Sequence, residues 1–226
     1  MKITYLGQAG FLFETGGRRI IVDPYLSNSV AEIQPSNFRR FGVDERFLKL
    51  RPDFLVITHN HADHFDKETL KHYLNENSAV TVLSPCSVWQ DIRQFGGTKN
   101  NYVLFNNGTV WTEKDIKFYA VKAEHSDSHA IGVIINAENK NYYITGDTLY
   151  NETIFDNLPC SNFDAVFLPI NGKGNNMNYF DAANFAKRIG AKNIIPMHFG
   201  LFDELTAENF VVDNKIIPIP YQEIKI

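Results

Sequence analysis

His59, His61, Asp63 and His64 lie within six residues of one another, in the pattern H-x-H-x-D-H. In an extended segment, residues i and i+2 point to the same side. His59 and His61 can therefore face one ion. Asp63 and His64, where the chain turns toward the next helix, can reach a second. Imidazole and carboxylate donors suit zinc, manganese or iron. Three more ionisable residues stand at the ends of apolar runs, where rigid elements usually carry their working groups. They are His125 in Ala-Glu-His-Ser-Asp, Asp147 in Thr-Gly-Asp-Thr, and His198 in Pro-Met-His-Phe-Gly.

The elements that must position these groups are legible as short runs. Residues 3–6, 11–14 and 19–22 read as strands, punctuated by glycine-containing turns, and Asp23-Pro24 closes the third. The continuous apolar run 54–57 reads as a buried strand leading straight into the histidine motif. Helical spacing follows over 67–74 and again over 87–95. Further strands are expected at 80–83, 116–121, 131–135, 142–145, 165–168 and 193–196. A helix is expected over 181–189, ended by Gly190. Residues 25–52 are polar and irregular. They read equally well as a functional cover and as a surface excursion with one short helix.

The order Asp23, H-x-H-x-D-H at 59–64, His125, Asp147, His198 resembles the metallo-β-lactamase superfamily. That resemblance implies an αββα four-layer sandwich of the α/β class, built as one domain over residues 1–226, with metals at one edge. It implies a first metal on His59, His61 and His125, and a second on Asp63, His64 and His198. Asp147 would bridge the two, and Asp23 would orient the motif loop without binding metal. It implies one or two divalent ions, zinc or manganese, and catalytic roles for Asp63, Asp147 and His198. Several segments also resemble the L-ascorbate-6-phosphate lactonase branch: Ile3–Gly10, Val22–Leu26, Glu124–His129, Leu168–Gly172, Asn176–Asn178 and Ile195–Phe199. That branch is cytoplasmic and hydrolyses a phosphorylated sugar lactone. This chain is shorter than its typical member and is expected to cover its substrate less fully.

Such a site lowers the pKa of water to about 7 and polarises an ester or phosphate ester. No serine or cysteine nucleophile is then needed, and there is no G-x-S-x-G elbow. Three readings follow: a hydrolase of a small anionic ester, a phosphodiesterase using the same site, and a metal-binding protein without turnover. An anionic substrate needs cationic partners, for which Arg39, Arg40 and Lys173 are candidates. Lys173 lies in the glycine-rich stretch 171–176, and His129 is a further candidate contact. His72, on the helix after the motif, is expected at the surface.

With 226 residues, 44% of them hydrophobic, the chain can bury a core without a structural metal. The net charge of −4 gives no basic footprint for nucleic acid and no polybasic anchor for a membrane. The expected partner is a small-molecule substrate, with self-association (a homo-oligomer) left open. Cys86 and Cys160 form no C-x-x-C pair, and no secretory apolar run follows Met1, so a cytoplasmic protein is expected.

Overall fold

A computed structural model describes all residues, Met1–Ile226. In chain order the elements are β1 Lys2–Gly7, β2 Gly10–Thr15, β3 Arg18–Val22, α1 Ser29–Ile33, α2 Glu45–Leu48, β4 Phe54–Val56, α3 Lys67–Tyr73, β5 Thr81–Ser84, α4 Cys86–Phe95 and β6 Asn101–Leu104. There follow β7 Val110–Glu113, β8 Ile116–Lys122, β9 Ile131–Ala137, β10 Lys140–Ile144, a 3-10 turn Glu152–Ile154, β11 Ala165–Pro169, α5 Tyr179–Ile189, β12 Ile194–Met197 and β13 Glu223–Ile224.

Two mixed sheets face one another. The first has the order β13-β1-β2-β3-β4-β5-β6 and the second β12-β11-β10-β9-β8-β7. Alternation along each strand explains the layers, because successive side chains leave opposite faces of a sheet. Phe11, Phe13, Ile20, Val22, Phe54 and Val56 point inward to meet Phe118, Ile131, Val133, Ile135 and Phe167 of the second sheet. Phe167 packs its ring edge-on to Phe11 and Phe13, at centroid distances of 4.7 and 5.7 Å. The intervening residues Leu12, Ile21 and Leu55 point outward, onto Leu70 and Tyr73 of α3 and Val88 and Ile92 of α4. On the other side, Ile134, Val166 and Leu168 cover themselves with Ala182, Phe185 and Ile189 of α5. The layers are helix, sheet, sheet, helix, as the αββα expectation requires.

Strand direction is what gathers the site. β1 and β3 run parallel to one another through the antiparallel β2, and β3 is parallel to β4. In the second sheet, β8 and β10 are related in the same way through β9, and β10, β11 and β12 are parallel. The segments that follow β1, β3, β4, β8, β10 and β12 are those that carry Gln8, Asp23, His59–His64, His125, Asp147 and His198. Each of these strands ends at the site.

Candidate metal centre

β4 is buried on both faces and delivers Thr58 and His59 in fully buried positions. His59, His61, His125 and Asp147 form one group whose ligand atoms lie within 4.8 Å of one another. Asp63, His64 and His198 form a second such group. The two groups touch: Asp147 Oδ1 lies 3.3 Å from His64 Nε2, and its Oδ2 lies 3.2 Å from His198 Nε2. Asp147 therefore stands between them.

Hydrogen bonds set which nitrogen each imidazole presents. The Thr58 backbone N–H and hydroxyl both donate to Asp23, at 2.8 and 2.5 Å. With its proton committed there, Thr58 Oγ1 accepts from His59 Nδ1 at 3.0 Å. Asp23 Oδ2 also accepts from His64 Nδ1 at 2.8 Å. His59 and His64 thus turn Nε2 inward; the His59 Nε2 is buried with no partner, and the His64 Nε2 and Asp147 Oδ1 face only each other, at 3.3 Å and without hydrogen-bond geometry. Buried polar atoms are nearly always paired. Three orphans on donor types that bind divalent cations fit a metal centre, with the carboxylate–imidazole support such centres use. His125 donates from Nδ1 to the Asn175 carbonyl at 3.1 Å, which leaves its Nε2 facing His61 Nδ1 at 3.1 Å.

Gly146 explains how Asp147 gets so close. Its φ is +61°, and a Cβ there would meet the Ile131 carbonyl at 2.8 Å and Thr58 Cβ at 3.0 Å. Only glycine lets the turn after β10 press onto the turn after β4.

Opposite charges within the cluster shift one another's ionisation. Burial holds His59 well below the usual histidine range, with the neighbouring His64 adding to the effect. His64 is also buried, which opposes its charge, but Asp147, Asp63 and Asp23 outweigh this and raise its pKa well above normal. His198 is raised to about 9 because Asp147 and Asp63 overcome its burial. For Asp63 and Asp147, burial works against ionisation, yet their pKa values are lowered, chiefly by His64 and His198.

Four groups absent from the sequence-based assignment hold this cluster. Gln8 Nε2 donates to Asp63 Oδ2 at 2.8 Å. Asn176 Nδ2 donates to Asp147 Oδ2 at 2.8 Å. The buried Asp127 accepts from the Asn60 N–H, the Ser87 hydroxyl and the His129 N–H, tying the motif loop to α4 and to the His125 loop. Thr58 is the fourth. Gln8, Asp127 and Asn176 all fall in segments the lactonase resemblance rests on, and that is the available signal.

A cavity of about 750 Å³ opens on Asp63, Asp147 and His198, and is closed on other sides by Val30 and Ile33 of α1 and by Lys173. Three expected substrate contacts lie elsewhere. Arg39 does not line the cavity: its guanidinium donates to the Tyr25 carbonyl and the Tyr221 hydroxyl and stacks on Tyr25 and Phe41, so its donors tie the 25–42 segment to the C-terminal segment. Arg40 pairs with Glu204 at 3.3 Å on the surface. His129 projects outward, its side chain half exposed, while its N–H is held by Asp127. Lys173 does reach the cavity, paired with Asp203 at 3.1 Å. His72 is exposed. No helix is long and apolar enough to cross a membrane.

The model of the Beta-lactamase superfamily domain matches residues 2–198. A UPF0173 metal-dependent hydrolase of Ligilactobacillus salivarius (strain UCC118) is 30% identical over 217 residues, covering 89% of this chain and 86% of that protein. Among solved structures, the metallo hydrolase Igni18 of Ignicoccus hospitalis superposes with a TM-score of 0.73 at 22% identity, covering 99% of this chain and 97% of that one. An isothiocyanate hydrolase from Delia radicum gut bacteria gives a TM-score of 0.74 at 18% identity, covering 100% and 99%. With this fold, this donor set and a family match over most of its length, the chain belongs to the metallo-β-lactamase superfamily.

Proposed function

We propose that this chain is a metal-dependent hydrolase of a small polar ester, with a lactone as the favoured substrate class. The observation that carries the reading is the pair of ligand groups, four of whose members, His61, Asp63, Asp147 and His198, line a 750 Å³ cavity with the buried His59 and His64 behind them. His59, His61 and His125 would hold one ion, Asp63, His64 and His198 a second, and Asp147 both. Bound divalent ions supply a water acidic enough to ionise near neutral pH and polarise the scissile group. Asp63 and His198 both reach the cavity; Asp63, with a second carboxylate oxygen, is the group placed to take and return a proton, while the His198 ring nitrogen would be held by the ion. Asn176 keeps Asp147 from rotating, and Thr58 and Asp23 fix the His59 and His64 rings.

Lys173 is the one cation of the expected set beside the cavity, and Asp203 already neutralises it. An anionic group on the substrate has to compete with Asp203. One cation so placed can hold at most one anionic group at the rim, a carboxylate or a single phosphate, and the phosphorylated sugar lactone itself rests on the sequence resemblance. The size of the cavity suits a small molecule.

The test is hydrolysis of a panel of sugar-acid lactones, aryl esters and bis(p-nitrophenyl) phosphate by protein reconstituted with zinc or manganese. Lactone turnover that EDTA abolishes and added metal restores is expected. Asp147→Ala and His61→Ala should lose it while keeping the parent's circular dichroism. Cleavage of the phosphodiester alone would replace the ester reading with a phosphodiesterase. No turnover of any class by fully loaded protein would leave a metal-binding protein without catalysis.

A further inference from the structure

Gln8 stands at the first central position of the two-residue connection between β1 and β2, whose paired ends are Gly7 and Gly10. Its backbone has φ +53°, a left-handed conformation that glycine usually supplies. His198, which follows β12 in the other sheet, is also left-handed at φ +62°. The two strained residues are joined directly: the His198 N–H donates to the Gln8 carbonyl at 2.7 Å, and the same carbonyl accepts from the Tyr5 hydroxyl at 3.0 Å. Non-glycine residues in this region are strained and persist where surrounding contacts over-determine them.

The side chain explains what the conformation achieves. Gln8 is 1% exposed. Its Nε2 lies 2.8 Å from Asp63 Oδ2 and 3.2 and 3.1 Å from the two ring nitrogens of His198. One carboxamide thus touches two of the three donors of the second group, Asp63 and His198. It makes no hydrogen bond to His59, His61 or His125. The carboxamide N–H donates to the Asp63 carboxylate and only packs against the His198 ring, which is held instead by its own backbone N–H on the Gln8 carbonyl; being neutral, the side chain does not compete for the cation.

We propose that Gln8 is a positioning residue for the second ion: it sets the affinity of the Asp63–His64–His198 group and leaves the His59–His61–His125 group unaffected. The inference rests on the two-ion reading given above. A coupling of this kind makes the hairpin between β1 and β2 the element that decides whether the centre holds one ion or two. Removing partners that orient metal ligands typically weakens metal binding by about 10- to 100-fold.

Two variants separate the carboxamide from the backbone. Gln8→Gly adopts φ +53° freely and keeps the carbonyl that anchors His198, but has no side chain. Gln8→Met preserves bulk and removes both polar atoms. Zinc stoichiometry and stepwise affinity are measured by competition with a chromophoric chelator, and the cobalt-substituted proteins are compared by their visible absorption. Both variants are expected to bind a first ion as the parent does and a second about 10- to 100-fold more weakly, with loss of the second site's absorption band. Two ions bound as tightly as in the parent would overturn the proposal. So would equal weakening of both ions, which would make Gln8 a support of the fold at large. A parent protein that binds fewer than two ions would overturn the two-ion reading itself, and the proposal with it.

Discussion

Four groups of the proposed second ion position, His64 and Asp147 buried and Asp63 and His198 partly open to the cavity, compete for two protons, and the outcome depends on whether a metal is bound. In the metal-free protein His198 keeps its proton up to about pH 9, and His64 is shifted in the same direction. A folded-state pKa raised above the unfolded value stabilises the fold fully below about pH 6.5, and that stabilisation is lost as pH rises through the folded value. The depressed Asp63 and Asp147 act at the other end: their contribution is complete above about pH 4 and is lost only at lower pH. The metal-free protein should therefore lose thermal stability between about pH 6.5 and 9. A metal ion must displace the same imidazole protons, so zinc affinity should rise across that window and level off above it. Calorimetric melting of chelator-treated protein and zinc competition titrations across the window check both signs. Curves flat in both experiments would mean that the imidazoles are already neutral. The seven candidate donors stand out in the sequence because their types are rare and four of them fall within six residues, and the fold brings all seven into two neighbouring groups. Gln8, Asn176 and Asp127 were not assigned, because each acts on a residue 29 or more positions away or bridges several segments. Glutamine and asparagine carry no metal-ligand signature that would single them out. Arg39 misled for the converse reason: a guanidinium that binds an anion and one that ties two loops together look alike in one dimension.

Turns carry more of the site than strands do. Gly146 lets the β10 turn rest on Thr58, and the Asp23–Thr58–His59 chain then passes the position of the β3 turn on to the first histidine. Gly146→Ala should cost about 1–3 kcal/mol from the left-handed backbone alone. Displacement of the Ile131 carbonyl or Thr58 should add to that and loosen Asp147. Chemical denaturation of the metal-free variant reads the stability cost, and metal content after dialysis reads the displacement. A variant as stable as the parent with full metal would show that the turn is compliant. Most strands that carry the site were visible as apolar runs because both of their faces are buried. β6 and β7 were not anticipated: they are edge strands whose exposed and half-buried positions leave a weak pattern. β13 has only two residues, paired with Ile3 and Thr4. Helix α5 begins two residues earlier than expected, at Tyr179, because the Asn178 side chain caps it by accepting from the Phe180 and Asp181 N–H groups. Segment 25–52 proved to hold two short helices, α1 and α2, and α1 contributes Val30 and Ile33 to the cavity wall.

At the level of the whole molecule, the question is whether metal holds the protein together or only acts in it. Three apolar layers lie away from the ligands, and the middle one contains Phe11, Phe13, Phe54, Phe118 and Phe167, all almost fully buried. Each such side chain contributes roughly 1.5–3 kcal/mol by burial. The ligands sit at the strand ends, where ordering them requires little that the sheets do not already impose. The ion pairs among His64, His198, Asp63 and Asp147 also let the buried charges offset one another when no cation is present. Removal of metal should therefore leave far-ultraviolet circular dichroism unchanged and unfolding cooperative. An ion present at 100 times its dissociation constant adds about 2.7 kcal/mol. For a protein of this size that corresponds to a fall in Tm of about 5–10 °C on chelation. Dialysis against EDTA, followed by melting with and without restored zinc, measures it. Loss of the cooperative transition in EDTA would make the centre structural: the ligand loops would then be needed to hold the ends of β4, β8, β10 and β12 together, and the apolar layers alone would be too weak to do so.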